Sequence, residues 1–247
     1  EIGACDWSSD VCSSDLTFRG PAAADADMRE RLVRMIDTNI VRLEEMVSDL
    51  LDLSHLESPD QAPRPVAIDT GELERTFTEL FAPVCAERRL GLRFDVQPGL
   101  THLRTDPKLL QLILRNLVDN ATKFAFERTD VVVEIRRGES AAGANSGVVL
   151  RVRDRGVGIP IKHQARIFER FYQVDESRAR QGVRRGTGLG LAIVKHAVRV
   201  LEGDIELESV WQEGTTVTVT LPDAAEPGAQ PGAQPGAQPE GGPDPAP

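Results

Sequence analysis

The chain has 247 residues, 40% hydrophobic, which exceeds what a wholly disordered chain carries. No apolar run approaches the roughly 18 residues that a membrane-spanning helix needs. The net charge is −10, but four acidic residues lie in residues 1–16 and four follow Leu221, with no base in either stretch. The remainder carries −2 and no basic stripe, which gives no electrostatic footprint for nucleic acid.

Residues 1–16, EIGACDWSSDVCSSDL, show neither a helical nor a strand period. They also lack the basic and apolar regions of a signal peptide. Asp6 to Leu16 resembles the translation of a short-read sequencing adapter, so this stretch is expected to be non-native. The gene fragment is then expected to begin near Thr17, its upstream part missing. Cys5 and Cys12 lie in this stretch, and Cys85 stands alone in an apolar helical pattern. No metal or disulfide spacing results, which fits a reducing compartment and a cytoplasmic placement.

Asp27 to Glu57 is expected to be one long helix. Leu32, Ile36, Leu43, Met46, Leu50 and Leu53 follow a heptad seam, with Ile40 and Val47 beside it and the polar Asn39 on it. Such a stripe suits a helical bundle or coiled-coil dimer. Ser58-Pro59 ends the helix, and Ala62 to Pro65 is a linker.

Strand and helix signals then alternate. Val66 to Ile68 reads as a strand, and Asp69 or Thr70 can cap a helix running to Arg89. Leu90 to Val96 is a strand. Asp106, followed by Pro107, caps a helix through about Phe126. Val131 to Arg137 and Val148 to Arg153 are strands, and Thr187 to Glu202 is an apolar helix. Asp204 to Val210 and Thr215 to Leu221 form a hairpin. The tail repeats Pro-Gly-Ala-Gln three times and has almost nothing to bury, so it is expected to be disordered.

Four constellations carry chemistry. On QLILRNLVDNATKFA, Asn116, Asn120 and Lys123 are spaced i, i+4, i+7 and share one helix face. Amide oxygen and ammonium together suit a Mg²⁺-bound polyphosphate. Asp154-Arg155-Gly156-Val157-Gly158-Ile159-Pro160 follows a strand; its glycines admit a flat ligand, and its carboxylate can accept from an exocyclic amine such as adenine's. Ile167-Phe168-Glu169-Arg170-Phe171 reads as an apolar anchor. It precedes Gln173 to Arg185, an aperiodic stretch holding Arg178, Arg180, Arg184 and Arg185 that can act as a lid over phosphates. Gly186-Thr187-Gly188-Leu189-Gly190 opens a helix and offers backbone N–H groups to an anion, without a Walker or Rossmann pattern.

In this order and spacing, the four segments resemble the N, G1, F and G2 boxes of the histidine kinase catalytic domain. That domain shares its ATPase superfamily with gyrase, Hsp90 and MutL. The resemblance spans about Thr17 to Pro222. It implies an α+β architecture: a long bundle helix, then an α/β sandwich with a mixed, largely antiparallel sheet covered by helices on one face. It implies ATP and Mg²⁺, with Asn120 as metal ligand and Asp154 reading adenine. Asn116, Lys123, Gly156, Gly158, Ile159, Phe168, Phe171, Arg185, Gly186, Thr187, Gly188, Leu189 and Gly190 would complete the nucleotide site. Arg155 stands where a small or polar residue is common and is expected to point outward.

The implied segments are a partial dimerisation domain over 17–61, a catalytic domain over 64–222 and a tail over 223–247. Homodimerisation would use residues 28–57, and the partner would be a response regulator receiver domain. None of His55, His102, His163 or His196 carries the family's phosphoacceptor pattern, an acid next to the histidine and a Thr-Pro or Asn-Pro pair shortly after. This chain is therefore expected to bind ATP without phosphorylating itself. The alternatives are an ATPase or protein serine kinase of the same superfamily, of the anti-sigma factor type, and a non-enzymatic dimerisation scaffold.

Overall fold

A computed structural model describes residues 26–57, 62–138, 147–174 and 186–222. The adapter-like stretch, most of the basic lid and the Pro/Gly tail lie outside the described residues. Helix α1 spans Ala26–Leu56. Strand β1 (Val66–Asp69) leads into α2 (Thr70–Arg88), β2 (Gly91–Val96), β3 (His102–Thr105) and α3 (Pro107–Phe124). Then follow β4 (Asp130–Arg137), β5 (Val148–Asp154), the single turn α4 (Ile161–Gln164), α5 (Gly190–Val200), β6 (Asp204–Val210) and β7 (Gly214–Leu221).

The helix starts follow from their caps. The Asp69 side chain accepts from the Glu72 N–H at 2.8 Å, and Asp106 accepts from the Lys108 and Leu109 N–H groups at 2.9 and 3.1 Å. Each satisfies donors that a helix start otherwise leaves bare. Asp106 also accepts from the backbone N–H of Arg64 at 2.8 Å, which ties the incoming linker to α3.

The main sheet runs β2-β4-β5-β7-β6, with β2 and β4 parallel and every other pair antiparallel. β1 and β3 form a separate antiparallel pair. Alternation sends Val131, Val133 and Ile135 of β4, Val148, Leu150 and Val152 of β5, and Val217, Val219 and Leu221 of β7 to one buried face. The register places Val133 opposite Val152 and Leu150 opposite Val219, so these residues stack across strands. Onto that face α3 lays Leu109, Leu110, Ile113, Leu114, Leu117 and Val118, and α5 lays Ile193, Val194, Ala197 and Val198. Full burial of each large aliphatic side chain contributes about 1.5–3 kcal/mol. The other face is polar, with Arg151 reaching Glu134 at 3.4 Å. Cys85 is buried among the α2 apolar residues, as its pattern implied, and burial pushes its thiol pKa up.

Three expectations need correction. The four-residue strand β3, opened by His102, was not foreseen. α5 begins at Gly190, three residues later than expected, because Gly188 holds φ at +76° and stops the helix from extending back to Thr187. The α1 seam is divided. Leu53 and Leu56 are buried in the core of the sheet domain, where α1 packs on α5, while Ile36, Ile40, Leu43, Val47 and Leu50 stay exposed.

Arg88 ends α2 and completes α3. Its guanidinium donates to the carbonyls of Thr122 and Lys123, and to that of Ala125 at 3.1 Å. These are last-turn carbonyls with no partner inside the helix. Arg88→Ala is expected to lose about 1.5–3 kcal/mol of stability, as measured by urea unfolding. Arg88→Lys should recover only part of that, because a point charge cannot span three carbonyls. An alanine variant as stable as the parent would contradict this role.

Candidate functional site

Helix α3 is amphipathic, and its second face builds the site. Asn116, Asn120 and Lys123 are half-buried on a flank beside the sheet-facing residues. The Asn116 amide donates to the Leu112 carbonyl at 2.8 Å, which fixes its orientation. Its Oδ1 is aimed at the start of α5: a Cβ on Gly190 would lie 2.8 Å from Asn116 Oδ1 and 3.6 Å from Asn120 Nδ2. The first turn of α5 therefore approaches the amide face at a distance that leaves no room for a side chain. Lys123 Nζ lies 2.6 Å from Asp119 Oδ2, one turn back on the same helix.

Asp154 ends β5 on its inward-facing side, next in line after Val152. It is 8% exposed. Burial pushes its carboxyl pKa up to about 7, against a hydrogen bond from the Thr215 backbone N–H that favours the charged form. The following loop is pinned on both sides. Val157 N–H donates to the Phe124 carbonyl at 3.1 Å, and Gln212 N–H donates to the Val157 carbonyl at 2.7 Å. Ile159 N–H donates to Ser209 Oγ at 2.8 Å, and the Gln164 amide bridges the Ile159 and Ser209 carbonyls at 2.8 Å each. Gly156 lies against the end of α3, where a Cβ would meet the Phe124 carbonyl oxygen at 2.2 Å. Gly158 adopts φ +64° beneath the Val210 carbonyl, a conformation and clearance that only glycine meets easily.

The Phe-containing segment meets the Gly-rich helix start. Gly188, at φ +76°, lies where a Cβ would come within 3.0 Å of the Phe171 backbone. Phe171 itself has φ +61° and is 55% exposed. It is not the expected anchor: Ile167 is the buried residue of this segment, and Phe168 is half-buried with Lys195 Nζ 5.8 Å from its ring centre. The left-handed turn at Phe171 brings its backbone to Gly188 while its side chain remains exposed. Tyr172 Oη pairs with His163 Nδ1 at 2.6 Å. Thr187 is buried, accepts from the Leu189 N–H at 3.2 Å and donates to Asp49 Oδ2 of α1 at 2.5 Å. A side chain at Gly186 would meet nothing within 4 Å, and the Gly186 carbonyl accepts from Gln173 at 2.8 Å.

The fold thus gathers Asn116, Asn120, Lys123, Asp154, Gly156, Gly158, Ile159, Thr187, Gly188, Leu189 and Gly190 around α3, the loop after β5 and the start of α5. Arg185 lies outside the described residues, and Arg155 is exposed, as expected. Sequence reasoning missed Ser209, Gln164, Thr215 and Asp49, whose roles arise from long-range approach. Asp119 was findable, since it stands one helical turn before Lys123. Among the described residues there is no cluster of three or more His, Cys, Asp or Glu side chains able to hold a metal, and no helix long and apolar enough to cross a membrane.

Residues 105–225 match the model of the histidine kinase-, DNA gyrase B- and HSP90-like ATPase family. Sensor histidine kinase RcsC of Escherichia coli K12 is 34% identical over 197 residues, which is 78% of this chain and 20% of RcsC. Sensor-like histidine kinase SenX3 of Mycolicibacterium smegmatis is 32% identical over 206 residues, 83% of this chain and 51% of SenX3. The chain therefore spans between a fifth and about half of these relatives. Among solved structures, full-length ShkA in complex with AMPPNP superposes with a TM-score of 0.64 at 26% identity, over 82% of this chain and 41% of ShkA. Acinetobacter baumannii histidine kinase AdeS shares the fold, with a TM-score of 0.60 at 19% identity over 81% of this chain and 86% of AdeS. Sheet order, site segments and relatives agree: this chain carries the ATP-binding catalytic region of a sensor histidine kinase, within the histidine kinase, DNA gyrase B and HSP90 ATPase family.

Proposed function

We propose that this domain binds Mg-ATP between α3, the loop after β5 and the start of α5, and presents the γ-phosphoryl to a histidine outside this chain. From there the phosphoryl would pass to an aspartate of a response regulator receiver domain. The observation that carries this reading is the convergence of three features. The buried carboxyl of Asp154 marks one end, the Asn116/Asn120 face lines the middle, and Gly190 brings a helix start against that face.

Roles follow from chemistry. Asp154 accepts from the adenine amine, and Gly156, Gly158 and Ile159 shape the slot for the ring. The Asn120 amide oxygen, with Asn116 beside it, suits Mg²⁺, which takes few protein ligands and relies on phosphate oxygens for the rest. The absence of a carboxylate cage among the described residues fits that mode. Bound Mg²⁺ would neutralise phosphate charge. Lys123 and Arg185 add positive charge, and the Gly186 to Gly190 backbone supplies N–H donors. The Phe168 side chain beside Lys195 and the left-handed backbone of Phe171 against Gly188 position the segment that leads into the lid.

The same reading assigns residues 17–61 to part of a dimerisation domain, 64–222 to catalysis, 223–247 to a tail and 1–16 to non-native sequence. The exposed Ile36, Ile40, Leu43, Val47 and Leu50 support bundle formation or homodimerisation through 28–57. A domain that consumes ATP belongs in the cytoplasm, where ATP is found.

Two experiments test this reading. The Asp154 carboxyl ionises near pH 7 in the fold, against a reference value of 3.8. Its contribution to stability is therefore full below about pH 4 and is lost as pH rises through about 7. Asp154→Asn should then raise the unfolding free energy at pH 8 by on the order of 1 kcal/mol or more, seen as a higher melting temperature. It should also weaken ATP binding at least about tenfold through loss of a charged acceptor. A variant that binds ATP as tightly as the parent would refute the adenine role. Incubated with γ-labelled ATP, the purified chain should acquire no acid-labile phosphate, because none of His55, His102, His163 or His196 carries the acceptor pattern. Acid-labile label on any of them would overturn that assignment.

A further inference from the structure

Asp49 belongs to α1, yet its carboxylate sits at the Gly-rich start of α5. Thr187 Oγ1 donates to Asp49 Oδ2 at 2.5 Å while accepting from the Leu189 N–H at 3.2 Å. One donor that a phosphate would seek, the Leu189 N–H, is thus satisfied through a hydroxyl that is itself held by a carboxylate. The nearby cation is similarly occupied, since Lys123 is paired with Asp119 at 2.6 Å. Burial raises the Asp49 carboxyl pKa; the Thr187 hydrogen bond opposes that, Asp52 and Glu45 add to it, and Lys123 counters it. Lys123 is therefore within electrostatic reach of Asp49, on the side of the cleft where phosphate charge would accumulate.

The docking of α1 does not depend on Asp49 alone. Leu53 and Leu56 are buried on the same helix face, and Glu57 pairs with Arg170 at the helix end. The face thus holds a carboxylate in place at the phosphate end of the cleft.

From this contact we infer that Asp49 acts as an internal anion, competing with nucleotide phosphates for the Gly-rich helix start and so coupling ATP binding to release of α1. The inference rests on the reading of the α3–α5 cleft as the nucleotide site. Phosphate brought to Leu189 and Lys123 meets the Asp49 charge at close range in a partly buried setting, where repulsion is weakly screened. Linkage makes the effect reciprocal: whatever holds α1 down weakens ATP, and ATP loosens α1 by the same factor.

Asp49→Asn keeps the shape and removes the charge. ATP affinity of this variant, measured by calorimetric titration, should exceed that of the parent by at least about fivefold, the lower end of typical coupling between sites. Adenosine, which lacks phosphates, should bind both proteins alike. Amide exchange across Met46 to Leu56 in the parent should rise when ATP is added. Unchanged or weaker ATP binding by the variant would overturn the inference, as would an equal gain for adenosine or slower exchange in α1 with ATP. If parent and variant both fail to bind ATP, the nucleotide-site reading itself fails. If the parent binds and the variant gains nothing, only the inference fails. A Glu57→Gln variant keeps Asp49 in place and loosens the helix end. It should also tighten ATP binding, and unchanged affinity there would contradict the coupling to helix release.

Discussion

The strand alternation that buries Val148, Leu150 and Val152 also takes the carboxyl of Asp154 out of water. A carboxyl group in that position opposes folding when ionised, and the Thr215 N–H offsets only part of the penalty. The loop after it is fixed as if to keep that group available. Gly156 presses on the end of α3, Gly158 turns beneath the Val210 carbonyl, and Ser209 and Gln164 hold Ile159. An ionisable group held this rigidly and largely out of water costs stability, which fits the recognition role proposed for it.

Helix α3 links this acceptor to the rest of the cleft. Its apolar side carries the core residues Leu110, Ile113, Leu114 and Leu117, so its rotation about its own axis is settled by packing. Asn116, Asn120 and Lys123 are then presented on the flank that faces the start of α5 without further adjustment. Arg88 completes the last turn of the same helix, and Gly190 lets α5 approach it closely. The carboxylates of Asp119 and Asp49 balance the positive end of the cleft. In this state the Lys123 ammonium and the Leu189 N–H are both satisfied internally, and α1 supplies one of the two carboxylates involved.

Much of this was legible in the sequence where local chemistry decides the outcome. Asp69 and Asp106 cap the helices they were expected to cap, and Pro107 opens α3. The alternation in β4, β5 and the β6–β7 hairpin placed those strands within a residue or two. β3 escaped because four residues starting at His102 carry too little pattern, and their pairing with β1 is long-range. The α1 periodicity showed an apolar stripe but not which neighbour takes it. Met46, Asp49, Leu53 and Leu56 recur at spacings of three and four, and that row turns to α5. Phe171 was misplaced because its left-handed backbone follows from contact with Gly188, which no local signal in the sequence encodes.

In the proposed reading, the amide face of α3 and the start of α5 form a site for metal-bound ATP. The most direct measurement is calorimetric titration of ATP with and without Mg²⁺, on the parent chain and on Asn120→Ala. Mg²⁺ should tighten ATP binding to the parent, and the alanine variant should lose most of this gain while keeping its melting temperature. An Asn120→Ala variant that gains as much from Mg²⁺ as the parent would contradict it.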